Sequence, residues 1–468
     1  MANDDNNNTP DNPEYRGTER RNWETRPKEK PVVKEPMNPA LQLLISIAII
    51  AVVVIGTIFM FKYPQKLGPI FISALVITLA TFLLLLILRH FILIWFSFLH
   101  QRELAYDDSP DIYPFVSIIV PAYNEAEVIS NSLASLLELR YPYYEIIAVD
   151  DGSTDGTYEK MKEFEGNHYG VRVQVFRKEN SGKADTLNYG IRRSKAPIVV
   201  CMDSDSRLTP EALRYAIKHF HDPNVGAVAG NVKVINRHNI WTKLQALEYI
   251  EGLNIARKAQ AFFRSVNVIP GPMGIFRRAA IEGTGGYDSD TFAEDFDMTV
   301  KILADGWKIN YEPKAVAYTE APEELLDVIK QRYRWTRGVL QALRKQRHLL
   351  TRSSGTITTP LSLWYMLFEG LAWPVMNIFA NLFFVWVALL YGMTKLLVLW
   401  WLLLTVLDLL IAVHAILMER EDMRLALYSI FYRFFYILII DVTKVFATLE
   451  ELVGLDMSWG KLARKGRI

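Results

Sequence analysis

At 468 residues the chain is too long for one ordinary domain, since domains typically run to roughly 100–200 residues. A formal net charge of +1 excludes the global basic field that nucleic acid attracts. A single cysteine, Cys201, excludes both a disulfide framework and a thiolate zinc cluster. Hydrophobic residues make up 51% of the chain, crowded towards its two ends, which sets it apart from an ordinary soluble protein.

Residues 1–38 are rich in Asn, Asp, Glu, Arg, Lys and Pro and read as a disordered cytosolic tail. The first apolar run starts near position 40 and is long enough to stay in a membrane, which argues against a signal peptide. Within 39–100, Leu41–Phe61 and Leu67–Leu88 carry no charge. Each exceeds the roughly 18 apolar residues of a spanning helix. Arg89, His90 and Arg102 follow them, and with the basic tail they put both flanks on the cytoplasmic side.

Residues 101–352 change character. Val116–Val120, Glu145–Val149, Val171–Val175, Ile198–Met202 and Val225–Val228 read as strands. Glu127–Leu139, Tyr158–Phe164 and Pro210–His219 read as helices between them. This alternation predicts an α/β domain with a mostly parallel, doubly wound sheet, binding its ligand at the carboxyl ends of the strands. Cys201 falls inside one such apolar run and reads as a buried structural thiol. Residues 353–450 turn apolar again, predicting an interfacial helix at Ser353–Phe368 and about three spans: 370–394, Leu396–Met418 and Leu425–Ile440. Such a count would leave the C-terminus outside, whereas the basic tail of 451–468 favours the inside, so one segment re-enters or lies in the interface.

The polar clusters fall at strand ends. Val120-Pro-Ala-Tyr-Asn-Glu125 and Val149-Asp-Asp-Gly-Ser-Thr-Asp-Gly156 each follow a strand. Their carboxylates suit a base N–H or ribose hydroxyls, although the second string is equally a turn and helix N-cap. In Asn180-Ser-Gly-Lys183, a lysine after a glycine suits a diphosphate, or is simply a solvated loop lysine. Met202-Asp203-Ser204-Asp205 closes a buried strand with two carboxylates that can jointly hold a hard cation, Mg²⁺ or Mn²⁺. Phe292-Ala-Glu-Asp-Phe296 places two acids in apolar company, where repulsion and burial raise a carboxyl pKa towards that of a general base. The alternative is an acid-decorated helix N-terminus. In Gln331-Arg-Tyr-Arg-Trp335, the spacing of Gln331, Arg334 and Trp335 puts an amide, a guanidinium and a flat ring on one helix face. A sugar can lie on such a ring, and a tryptophan anchoring the membrane interface is the plainer reading.

In this order the motifs resemble those of the processive family-2 glycosyltransferases, the synthases of cellulose, chitin, hyaluronan and poly-N-acetylglucosamine, over roughly residues 110–350. The resemblance implies the A-type glycosyltransferase fold, flanked by transmembrane helices. It implies that Asp150 or Asp151 contacts uridine beside Tyr123 and Glu125, that Lys183 and Arg334 lie near the diphosphate, and that Asp203 and Asp205 are the metal aspartates. Asp295 resembles the family's base, with Glu294 before it. Gln331 and Trp335 frame the acceptor site, as does the loop holding Gly271 and Pro272. Ala293 stands where many relatives have Thr. Arg334-Trp-Thr-Arg-Gly338 and Trp459-Gly-Lys-Leu462 look most like the poly-β-1,6-N-acetylglucosamine synthases.

The implied partners are a UDP-sugar donor, a polysaccharide acceptor, the lipid bilayer of the plasma (inner) membrane and, as an option left open, a small accessory membrane subunit, with no nucleic acid. A non-processive transferase acting on a lipid-linked acceptor is the alternative. Glu369, Asp408 and the Asp441/Lys444 pair lie in or beside apolar segments, where they face an aqueous polymer path or, for the last two, pair with each other.

Overall fold

The structure is a computed structural model that describes residues 85–104 (except 87 and 91), 112–351, 358–391 and 394–455. The expected N-terminal tail, the first span, most of the second and residues 456–468 of the basic C-terminal tail lie outside the described residues.

The centre is one nine-stranded sheet. Its strands are β1 Val116–Ala122, β2 Tyr144–Asp150, β3 Gly166–His168, β4 Val171–Arg177, β5 Ile198–Cys201, β6 Ser206–Leu208, β7 Val225–Val234, β8 Gly274–Arg277 and β9 Lys308–Thr319. Their spatial order is β3-β4-β2-β1-β5-β8-β7-β9-β6. β1 and β2 are buried along their whole length, as strands covered on both faces must be. Alternate side chains serve the two faces. Ile118, Val120, Ile146 and Val200 pack under Leu133 and Leu136 of α1 (Ile129–Leu137). Ile119, Ile147, Val149 and Cys201 pack on the other side against Leu187 and Ile191 of α2 (Lys183–Arg193). Cys201 is a buried free thiol, as its surroundings predict.

The sheet corrects one expectation. β4, β2, β1 and β5 are parallel, but β8 runs antiparallel to both β5 and β7, and β6 runs antiparallel to β9. The sheet is therefore mixed rather than mostly parallel. The cause is a helical excursion, α3 (Ile240–Glu248) and α4 (Ile255–Phe262), after which the chain re-enters between β5 and β7 from the opposite end. β8 is only four residues long and β6 three, so neither left a legible alternating pattern.

Beyond β8 come α5 (Glu294–Ala304) and the amphipathic α6 (Leu325–Lys345). Next are the apolar helices α7 (Thr358–Leu367) and α8 (Trp373–Tyr391), joined through a π-helical turn at Phe368–Ala372. The predicted interfacial segment and the span after it thus form one helix, 358–390. Among the described residues it is the one single helix long and apolar enough to cross a membrane. α9 (Thr394–Glu419) and α10 (Leu438–Val453) follow; the pair Met423–Phe431 and Phe435–Val453, bent by 60°, adds a second crossing if it is one broken span.

Charged groups among these helices have partners. Asp408 takes both oxygens' bonds from Arg433, and Arg89 donates twice to Glu369. Asp441 accepts from Asn377 Nδ2 at 2.6 Å, and among the described residues no ion pair joins it to Lys444. The end of α9 is riveted to α4 and to the sheet: Glu419 lies 2.5 Å from Lys258 of α4, and Glu421 meets Lys233 of β7 at 2.8 Å and Arg237 just after it at 2.5 Å. Glu419→Ala strands the Lys258 ammonium in the interior, an expected loss of about 3–5 kcal/mol. It should appear as a lowered unfolding temperature in detergent, while Glu421→Ala, whose partners are more exposed, costs less.

Candidate active site

A cavity of about 390 Å³ opens between the sheet, α4, α6 and the α7–α8 turn. Lys183, Asp203, Asp205, Gly271, Pro272, Glu294, Asp295, Gln331, Arg334 and Trp335, all singled out from sequence, line it. They converge for simple reasons. Asp203 and Asp205 follow β5, and the turn is fixed by Asp203 N donating to Gly271 O at 3.1 Å and Ser206 N donating to Asp203 O at 3.2 Å. Lys183 opens α2, and Glu294 and Asp295 open α5.

Lys183 joins the two acidic motifs. Its Nζ lies 2.6 Å from Asp203 Oδ1 and 2.7 Å from Glu294 Oε1. Burial works against the ammonium charge, but Asp203 and Glu294 outweigh it and hold the Lys183 pKa above its usual value. Burial likewise pushes Glu294 up, yet Lys183 prevails and Glu294 stays below the usual carboxylate range. Asp295 goes the other way. Burial first, and then the charge of Glu294, raise its pKa to about 6. Of two adjacent carboxylates, one is an ion-pair partner and the other is raised towards neutrality, the range a general base requires. Asp295 Oδ1 accepts from the Phe296 amide at 2.7 Å, which fixes its orientation.

The residues fit a hard cation. Asp203 and Asp205 supply oxygen donors to one cavity. Space above Asp203 depends on Gly271, where a Cβ would come within 2.7 Å of Asp203 Oδ2 and 3.1 Å of Lys183 Nζ. Burial, partly countered by Lys183, raises the Asp203 pKa, the mark of a carboxylate short of positive charge. Another acidic cluster, Asp288, Asp290 and Asp297, already holds a cation: Lys345 Nζ lies 2.6, 2.8 and 3.1 Å from them.

Tyr123, Glu125, Asp150 and Asp151 lie at the adjoining ends of β1 and β2, outside the cavity lining. Both aspartates are buried and occupied by the protein's own donors. Asp150 accepts from Ser153 N at 3.2 Å and pairs with Arg177 at 3.2 Å. Asp151 accepts from Ser181 N at 3.0 Å, Gly182 N at 2.9 Å and the Lys178 ammonium. Asp151 thereby shapes the loop that delivers Lys183. Tyr123 is well exposed at this edge.

On α6 the predicted face is present, with Gln331 buried and Arg334 and Trp335 half-buried. Sequence reasoning passed over Arg332. Its guanidinium lies 4.2 Å from the Trp335 ring centroid, grips both oxygens of Glu248 and reaches Gln331 Oε1 and Tyr436. The clue was the arginine between the two recognised residues; Glu248, 84 positions away, gave none. Gly338, one turn past Trp335, lets α6 touch the turn before Glu294: a Cβ there would sit 2.6 Å from Ala293 Cβ.

Two adjoining strand ends with buried aspartates, a carboxylate pair, a linking lysine and a carboxyl raised towards neutrality thus share one edge of this sheet. Residues 117–285 match the model of glycosyl transferase family 2. It is similar to the poly-beta-1,6-N-acetyl-D-glucosamine synthase of Staphylococcus aureus (strain COL), 34% identical over 250 residues, 52% of this chain and 60% of the relative. The Staphylococcus epidermidis protein of the same name is 34% identical over 258 residues, 55% and 61% of the two chains. The chain thus spans about 60% of the length of these curated relatives. Among solved structures, the mannosyltransferase PcManGT from Pyrobaculum calidifontis, in complex with GDP-Man and Mn²⁺, superposes with a TM-score of 0.57. It is 22% identical and covers 80% of this chain and 99% of that one, a likeness of fold.

Proposed function

We propose that the protein is a membrane-integrated, inverting glycosyltransferase. It would transfer N-acetylglucosamine from its UDP-sugar to a growing β-linked polysaccharide and pass the product out through its own spans. The carrying observation is that Asp295, raised to about 6, shares one cavity with the Lys183–Asp203 pair and Trp335. The same cavity extends to Tyr365, Glu369 and Lys444 on the apolar helices, which favours an acceptor approaching from the membrane side.

The Asp295 carboxylate takes the proton of an acceptor hydroxyl, whose oxygen attacks the anomeric carbon opposite the diphosphate. The carbon–oxygen bond to UDP breaks, and the configuration inverts from α to β. Lys183 and Arg334 face the charge that grows on the leaving diphosphate. Asp203 and Asp205 would hold Mg²⁺ or Mn²⁺, which when bound neutralises that leaving group. Trp335 gives the acceptor ring a flat apolar shelf, and Gln331 a polar edge. The proposed setting is the plasma membrane, crossed several times, with the catalytic domain cytosolic.

Purified protein incubated with individual UDP-sugars should release UDP and lengthen an oligosaccharide. A ladder of long products from UDP-N-acetylglucosamine supports the reading, single-sugar addition to a lipid carrier replaces processive synthesis, and no UDP release overturns it. Asp205→Ala should abolish both activity and its dependence on added Mn²⁺, measured by metal titration; full activity without metal would refute the cation assignment.

A further inference from the structure

The cavity contains a polar group that this chemistry does not use. The helical run Tyr249–Asn254 and Ile255–Phe262 turns one stripe towards it. Gly252, Leu253, Ala256, Arg257 and Gln260, three and four apart, all line the wall. Arg257 is only 8% exposed. Among the described residues no carboxylate pairs with it, and its hydrogen bond is a long one from Nη1 to Asn254 Oδ1 at 3.3 Å. Its neighbour Lys258, 2% exposed, points away from the cavity lining and has Glu419 at 2.5 Å. The fold therefore supplies a counter-charge to one buried cation and withholds it from the next.

A guanidinium carries five N–H donors, and burying them without acceptors is costly. Burial holds the Arg257 pKa below its usual value, with Tyr311, Tyr249 and then Asp295 acting in the opposite direction. A matching acceptor lies on the same wall. Asn267, 3% exposed, donates Nδ2 to Ser362 O at 3.3 Å, and its backbone N–H goes to Gln260 Oε1 at 3.0 Å. Its Oδ1 is buried without a donor. Gln260 thus ties the loop that holds this acceptor to the helix that holds the donors. Around them the lining is apolar, including Val268, Phe296 and Leu343. Trp335 packs in one cluster with Leu253, a turn before Arg257.

We propose that Arg257, Gln260 and Asn267 form an acceptor-side subsite that reads the acetamido group of the sugar ring resting at Trp335. Its carbonyl oxygen takes N–H bonds from Arg257, its N–H donates to Asn267 Oδ1, and its methyl meets the apolar lining. A ring bearing a free amine offers no such carbonyl, and as an ammonium it is repelled by the guanidinium. Arg257, Gln260 and Asn267 share one cavity lining with Asp295 and Trp335. This assignment rests on the proposed reading of the cavity as a sugar-transfer site.

The test uses the full chain in detergent, with two β-linked N-acetylglucosamine oligomers as probes, one fully acetylated and one with its terminal ring de-N-acetylated. Calorimetric binding, measured without donor, should favour the acetylated oligomer by about tenfold or more, the range of a hydrogen bond to a charged group. Arg257→Gln should remove most of that preference and leave UDP binding unchanged, and Arg257→Lys should fall between. Asn267→Asp should shift preference towards the amine. Wild-type binding that ignores the acetyl group, an Arg257→Gln protein with wild-type preference, or parallel loss of UDP binding would each overturn the subsite. If the preference behaves as expected but no UDP-sugar is turned over, the subsite stands and the transferase reading fails.

Discussion

Asp295→Asn should lower the rate of sugar transfer by about 10²–10⁴-fold, the span attributed to a positioned general base. Binding of the UDP-sugar should change little, because the ion pairs of Lys183 to Asp203 and Glu294 do not involve Asp295. A pH profile sharpens the test. The pKa of Asp295 is raised to about 6, so the carboxylate is ready to accept a proton above that pH and becomes protonated below it. Transfer in the wild type should therefore rise with pH through about 6 and fall roughly tenfold per unit on the acid side. Residual activity of the asparagine variant should lose that limb. An unchanged rate, or an acid limb that persists in the variant, removes Asp295 from the role of base.

Lys183→Met should be the next most damaging change. It removes the cation that, among the described residues, touches both Asp203 and Glu294, and leaves Asp203, Glu294 and Asp295 without it in a buried site. Loss of a preorganised positive charge at a leaving group costs on the order of 10²–10³-fold in rate. Lys183 also restrains the pKa of Asp295, so the acid limb should move to higher pH in the variant. Initial rates across a pH series at saturating metal separate the two effects. A lower plateau with an unmoved limb would mean that Lys183 serves the diphosphate alone.

The sequence disclosed the active cavity better than the sheet that carries it. Lys183, Asp203, Asp295 and Trp335 were legible because each opens a helix, follows an apolar strand or repeats at helical spacing. Those are local signals, and the cavity brings all four together. Asp150 and Asp151 were legible as a motif, but their partners were not. Asp151 is engaged by Ser181 and Gly182, some 30 residues downstream. Strand direction was also hidden. β8 has four residues, and nothing local distinguishes a strand that enters the sheet head-first from one that enters tail-first. Arg257, Glu248 and Arg332 are ordinary charges on ordinary helices until tertiary packing buries them. Only the folded chain distinguishes Arg257, left without a carboxylate among the described residues, from Lys258, which has one.

The α6 helix is tied down along its length. Arg332 reaches Glu248 and Tyr436, Tyr333 reaches Glu450, and Arg337 and Gln341 both reach Glu451, at 2.8 and 3.1 Å. Those clasps belong to two other helical segments, so the helix that carries Trp335 cannot shift without dragging a whole bundle with it. On the proposed reading, the aromatic shelf would be an anvil and not a pawl, and a polymer extended against it would advance by the length of the sugar ring just added.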